Sequence, residues 1–173
     1  MRNPLLDKRH LKEYVIYCLI AAVAYIVPYL IFLTRGDYED FYYLFLGAGL
    51  FMLAIFYYCF HLLRKPYDKN RALSMTISGH FTTITGIAIS CFFVVILFSF
   101  FYPGVYSSLP PDKVIKDLPA TMQTNKPLGV LFPILFVTIL GNFGVGSFIS
   151  IITAYAGKLN QTKEKAVPLE TNI

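Results

Sequence analysis

The sequence predicts an all-α membrane protein, a single domain of four transmembrane helices arranged as two antiparallel hairpins with both termini cytoplasmic. Three observations carry that expectation. Residues 14 to 34, 41 to 63, about 77 to 102 and 127 to 157 contain no Asp, Glu, Lys or Arg. Each run reaches the ~20 residues that a helix needs to cross ~30 Å of hydrocarbon. The composition agrees, since 56% hydrophobic residues with 14% charged is unlike a soluble domain. The placement of charge then gives the orientation. Arg2, Lys8, Arg9 and Lys12 precede the first run, Arg64, Lys65, Lys69 and Arg71 separate the second and third, and Lys158, Lys163 and Lys165 follow the fourth. Arg35, Lys113, Lys116 and Lys126 alone fall in the other two connections. Positive charge is retained on the cytoplasmic side, so the termini and the 64 to 71 connection lie inside.

Helices are the expected spanning elements because unpaired backbone groups are costly in lipid, and the runs lack the alternation of a membrane barrel. The first run, 14 to 34, begins after a basic segment and contains "AVA" at 22 to 24, which imitates a signal-peptide cleavage site. It continues through "YIVPYLIFL", too long for an h-region, and is therefore read as an uncleaved first helix with a kink or loosening at Pro28. The second run, 41 to 63, follows after the tight external turn "TRGDYED" and carries Tyr42, Tyr43, Tyr57 and Tyr58 near its ends, where an aromatic belt is favoured.

In the third run, Ser74, Ser78, Thr82 and Thr85 fall within about 80° of each other on a helix, a polar stripe that gives way to "CFFVVILFSFFYP". The loop from 103 to 126 contains "PPDKVIKD", which predicts a short helix with Asp112 as its N-cap and Pro119 as its stop. The fourth run ends at Gly157 and Lys158, a cap and an interface anchor. Cys18, Cys59 and Cys91 each lie inside a run with no metal-ligand or redox spacing, and packing is their expected role.

Two ladders of small or polar residues stand out. Thr138, Asn142, Gly146, Ser150 and Ala154 recur every fourth residue in the fourth run, and Ser74, Ser78, Thr82, Gly86 and Ser90 do so leading into and along the third. Such faces let backbones approach closely in lipid, where packing and hydrogen bonds rather than a hydrophobic drive must hold helices together. Counting 1.5 Å per residue from the inner ends brings Gly86 level with Gly146, Thr82 with Ser150 and Ser90 near Asn142. The expectation is an antiparallel seam in which Asn142 reaches a hydroxyl or carbonyl of the third helix.

Against it stands a polar cavity lined by Ser78, Thr82, Thr85, Asn142 and His80, which a small transporter or channel component would use. Paired His61 and His80 lack companion ligands for haem or a metal, and "GNFGVG" is not an ordered nucleotide-binding turn. No carboxylate lies in any run, and no nucleophile and base pattern or H-E-x-x-H is present. An enzyme, a cofactor and nucleic acid binding are therefore not expected. Arg64, Lys65, Lys69 and Arg71 offer contacts to anionic lipid headgroups besides setting topology.

The layout from "YDKNRALSMTISGHFTTITGIAIS" through "FFYPGV" to "GVLFPILFVTILGNFGVGSFISIITAYAGK" resembles a family of uncharacterised four-span bacterial inner-membrane proteins, a domain of unknown function. That resemblance implies a bacterial cytoplasmic membrane and transfers no functional residue. The expected role is that of a non-catalytic accessory or interaction subunit, in contact with membrane lipids and with other membrane subunits or a second copy of itself.

Overall fold

A computed structural model describes residues 8–63, 71–103, 115–119 and 128–164. Among them the chain is helical: α1 spans Lys8–Arg35, α2 Tyr42–Leu63, α3 Arg71–Phe101, α4 Leu128–Phe136 and α5 Asn142–Glu164. A 3-10 turn over Tyr38–Phe41 leads into α2, and a π turn over Val137–Gly141 joins α4 to α5. Four segments are long and apolar enough to cross a membrane: Lys12–Arg35, Tyr38–Leu63, Met75–Phe101 and Gly129–Ala156. The last is the unit formed by α4, the π turn and α5. Pro28 lies buried within α1, which continues through it to Arg35.

The spans pack by adjacency around a square. α1 lies along α2 and α3, and α5 lies along the same two helices, so the first and fourth spans take opposite corners. Large side chains fill the space between them: Tyr25, Tyr29, Phe32, Phe51, Tyr58 and Phe98 are all buried. Their outward neighbours are apolar and bare, including Val23, Phe45, Phe100, Phe132 and Phe148. A surface of this kind would be a large sticky patch in water, whereas hydrocarbon solvates it without cost. Tyr58 departs from the expected aromatic belt. It is 1% exposed and packs its ring 5.1 Å from that of Tyr17, while Tyr57 beside it is 68% exposed.

One end of the bundle is closed by a cap that the sequence does not announce. Gly36 ends α1 with φ +64°, a conformation natural to glycine, and Asp37 caps the 3-10 turn by accepting from the Glu39 amide at 2.9 Å. The Lys116 amide donates to Gly36 O at 2.9 Å and the Tyr38 amide donates to Lys116 O at 3.1 Å, making a parallel bridge between two distant connections. Ile115 is buried beneath it. The short helix expected in "PPDKVIKD" is therefore corrected over Ile115–Asp117, which is extended and then turns at Asp117 with φ +53°. The bridge takes up the Lys116 amide and carbonyl that helix pairing would have used. Asp112 lies outside the described residues.

Glycines set the closest helix approaches. A Cβ at Gly79 of α3 would lie 2.8 Å from Ser150 Cβ, and one at Gly146 of α5 would lie 2.6 Å from Thr83 Oγ1. Each helix thus offers a notch that receives the other's side chain, in antiparallel register. The third and fourth spans meet as expected, but the facing pairs are Gly79 with Ser150 and Thr83 with Gly146. Gly86 instead faces Phe51 of α2, 3.1 Å from a hypothetical Cβ, and the Cys18 carbonyl of α1 at 3.5 Å. The depth count treated helix ends as level and assumed that ladders meet rung to rung. The real seam runs along the neighbouring stripe of α3, because two glycines there allow the smaller separation. A Gly146→Leu variant should lose ~1–3 kcal/mol through overpacking against Thr83. Thermal unfolding in detergent reads this directly, and a melting temperature equal to wild type would refute the seam.

Candidate functional site

The polar residues of the bundle centre are built around the π turn. Pro133 removes a backbone donor from α4, and the π turn follows it at Val137–Gly141. A π turn holds more residues per turn than an α turn. It therefore offsets the roughly 40° by which each four-residue α-helical step winds away from a line. All five ladder residues of this span, Thr138, Asn142, Gly146, Ser150 and Ala154, end up buried.

Thr138 is the junction. Its hydroxyl donates to Ile134 O at 2.7 Å, which leaves its oxygen to accept from Tyr25 Oη at 2.8 Å, across the diagonal of the bundle. One turn along α1, Tyr29 Oη donates to Val94 O of α3 at 3.1 Å. Asn142 donates Nδ2 to Thr138 O at 2.8 Å, within its own span. The expected bond from Asn142 to the third helix is thus corrected: the carbonyl it meets belongs to the preceding turn. Because that carbonyl accepts only, the nitrogen must face it, and Oδ1 is turned away. Oδ1 is buried with no hydrogen-bond partner, and so is Ser90 Oγ of α3. Continuing the Gly79 and Thr83 register puts Ile87 beside Asn142. Ser90, ~4.5 Å farther along α3, then stands at a height between Asn142 and Thr138.

Elsewhere the hydroxyls are used locally. Thr82 bonds Ser78 O at 2.9 Å, Thr83 bonds Gly79 O at 2.8 Å, Ser150 bonds Gly146 O at 2.7 Å and Thr153 bonds Ile149 O at 2.7 Å. His80 places Nδ1 2.8 Å from Thr76 O. Of the residues considered for a polar cavity, Thr82 and Asn142 have no exposed surface, while Ser78, Thr85 and His80 are half-buried. Among the described residues no group of three His, Cys, Asp or Glu side chains is placed to hold a metal. Cys59 sits beside Gly79 at the seam, its sulfur 3.2 Å from where a Cβ would stand. Arg64, Lys65 and Lys69 lie outside the described residues, and Arg71 opens α3.

A second feature escaped the sequence reading. Between α1 and α2 runs an outward-facing groove of about 690 Å³. Ile16, Ile20, Ala24, Leu50, Leu53 and Ala54 form its walls and floor, while Glu13, Tyr17, Tyr57 and His61 stand at one end. The ring of His61 lies 6.2 Å from that of Tyr17.

Comparison with protein-family models, curated proteins and solved structures finds no match for this chain.

Two substitutions separate the bonded and unbonded groups of the centre. Tyr25→Phe removes an interhelical bond and should cost ~0.6 kcal/mol, with ~1.7 kcal/mol as the upper end for such bonds in membranes. Ser90→Ala removes a buried hydroxyl without a partner and should be neutral or stabilising, since an unmet polar group costs ~1–3 kcal/mol. Paired melting curves in one detergent test both, and a Ser90→Ala variant less stable than Tyr25→Phe would contradict the assignment.

Proposed function

We propose that this protein is a non-catalytic accessory subunit of a bacterial cytoplasmic-membrane complex, a pair of antiparallel helical hairpins with both termini inside. The observation that carries this reading is a contrast among glycines. Gly47, Gly79, Gly86 and Gly146 are each required by a neighbour within the chain, since a Cβ at each would meet other atoms at 3.1 Å or less. A Cβ at Gly144 of α5 would meet nothing within 4 Å. Gly144 is exposed, in a row with Leu140, Phe148, Ile151 and Tyr155, which are exposed as well. These residues recur at four- and three-residue steps and so share one outward face. A glycine costs ~1 kcal/mol relative to Ala in a helix interior. Among the described residues nothing recovers that cost here, whereas a partner helix seated against a glycine notch gains close backbone approach.

A second reading, a small transporter or channel component with a polar cavity along the third span, draws on Asn142 Oδ1 and Ser90 Oγ, which are among the buried side-chain atoms with no hydrogen-bond partner. The local bonding of Thr82 and Thr83 counts against it, because their hydroxyls are already committed to their own helix.

Gly144→Leu tests the accessory reading. The variant should keep the wild-type melting temperature, since the added side chain enters open space. The wild type should run as a higher-mass species in native electrophoresis of mildly solubilised membranes, and the variant should lose it. Two differently tagged copies expressed together distinguish a homo-oligomer from a complex with another subunit. A wild-type protein migrating as a single chain, or a Gly144→Leu variant that still assembles, would remove the basis for this proposal.

A further inference from the structure

We propose that the groove between α1 and α2 binds one anionic glycerophospholipid from the leaflet on the side where α1 begins. The groove runs from Glu13 to Ala24 on α1 and from His61 to Leu50 on α2, eleven steps or ~16 Å along either wall. Glu13 and His61 stand near the ends of the spans Lys12–Arg35 and Tyr38–Leu63, while Ala24 and Leu50 stand at their middles. Half of a ~30 Å hydrocarbon core is ~15 Å. The groove therefore opens at one membrane surface and stops at the midplane. A partner transmembrane helix would need a track through both leaflets, whereas an acyl chain needs one.

The lining is sorted along the same axis. Ile16, Ile20, Ala24, Leu50, Leu53 and Ala54 give the length of the groove an aliphatic surface for a lipid tail, and Tyr17, Tyr57 and His61 stand toward the surface end. Two phenols and an imidazole there offer hydrogen-bond donors to a phosphate. Glu13 is engaged within the chain, so the headgroup is selected by the charge around the mouth. Residues 1–13 carry Arg2, Lys8, Arg9 and Lys12 against Asp7 and Glu13, four basic less two acidic, and Arg64 and Lys65 follow the end of α2 in sequence. Arg9 lies four residues before Glu13 in α1, which continues the spacing of the lining positions 13, 17, 20 and 24 by one turn past the mouth. Lys12 is exposed. An excess of Lys and Arg at a membrane surface attracts anionic lipid, and a headgroup without net charge would leave that excess unmatched.

This site lies on helices other than α5 and does not rest on the accessory-subunit reading, so loss of one leaves the other standing. The full-length protein is reconstituted in nanodiscs of equal parts phosphatidylglycerol, phosphatidylcholine and phosphatidylethanolamine, released, and weighed with its retained lipids by native mass spectrometry. The wild type should keep one lipid per chain, phosphatidylglycerol in preference to the other two. Arg9→Gln combined with Lys12→Gln should still keep one lipid and lose the preference. Ala24→Phe, which fills the deep end, should lose retained lipid of every class while remaining folded. Should Ala24→Phe unfold, Ile20→Phe narrows the groove from an exposed wall position and should lose the lipid in its place. A wild type that retains no lipid or does not prefer phosphatidylglycerol, an unchanged preference in the double variant, or lipid still retained by the folded groove-filling variant would each overturn the proposal.

Discussion

Water is absent from the middle of a bilayer, and every polar group of a spanning chain must find its partner within the protein. The arrangement of this bundle follows from that condition. Backbone groups meet it by forming helices, and Thr82, Thr83, Ser99, Thr138, Ser150 and Thr153 meet it by bonding the carbonyl four residues before them. Those hydroxyls then have one capacity left, that of acceptor. Thr138 uses it to hold Tyr25 across the bundle diagonal. A hydroxyl that first satisfies its own helix becomes a fixed acceptor for the next one, and this lets polar residues lie inside the core without a water network.

The same condition explains why glycine does so much of the packing. With lipid as apolar as Leu, two helices gain little from burying aliphatic surface against each other and gain more from shortening the distance between backbones. Gly79 and Gly146 form a reciprocal pair in which each accepts a small polar side chain from the other helix. Gly47 accepts the ring of Tyr25, 3.0 Å from a hypothetical Cβ, and Gly86 accepts Phe51. Tyr25 and Phe51 are thus seated in glycine notches, so bulk on one helix is matched by its absence on another.

How much of this was legible in the sequence differs by the range of the interaction. The four spans were legible to within a few residues, because the absence of charge over ~20 residues is a local property that lipid enforces directly. The burial of the Thr138 to Ala154 ladder was legible from its four-residue spacing. The register of the seam was not, since Gly79 rather than Gly86 is chosen by how far α3 extends past Met75 toward Arg71 and by which stripe permits the closer approach. The π turn also escaped notice, although Pro133 lies just before it. The bridge of Lys116 to Gly36 and Tyr38 joins residues some eighty positions apart, and no local pattern in "PPDKVIKD" separates such an extended pairing from a short helix.

Asn142 gathers these strands. Its amide has two functions, and the helix uses only one: Nδ2 closes on Thr138 O while Oδ1 faces the interior beside a stretch of α3 where Ser90 has not bonded its own helix. Ser90 is the exception among the buried hydroxyls of that helix, and it stands ~4.5 Å along α3 from the level of Asn142. Both Ser90 and Asn142 are without exposed surface. Gly144 differs from the glycines of the seam in having open space beside it among the described residues, on the outside of the bundle.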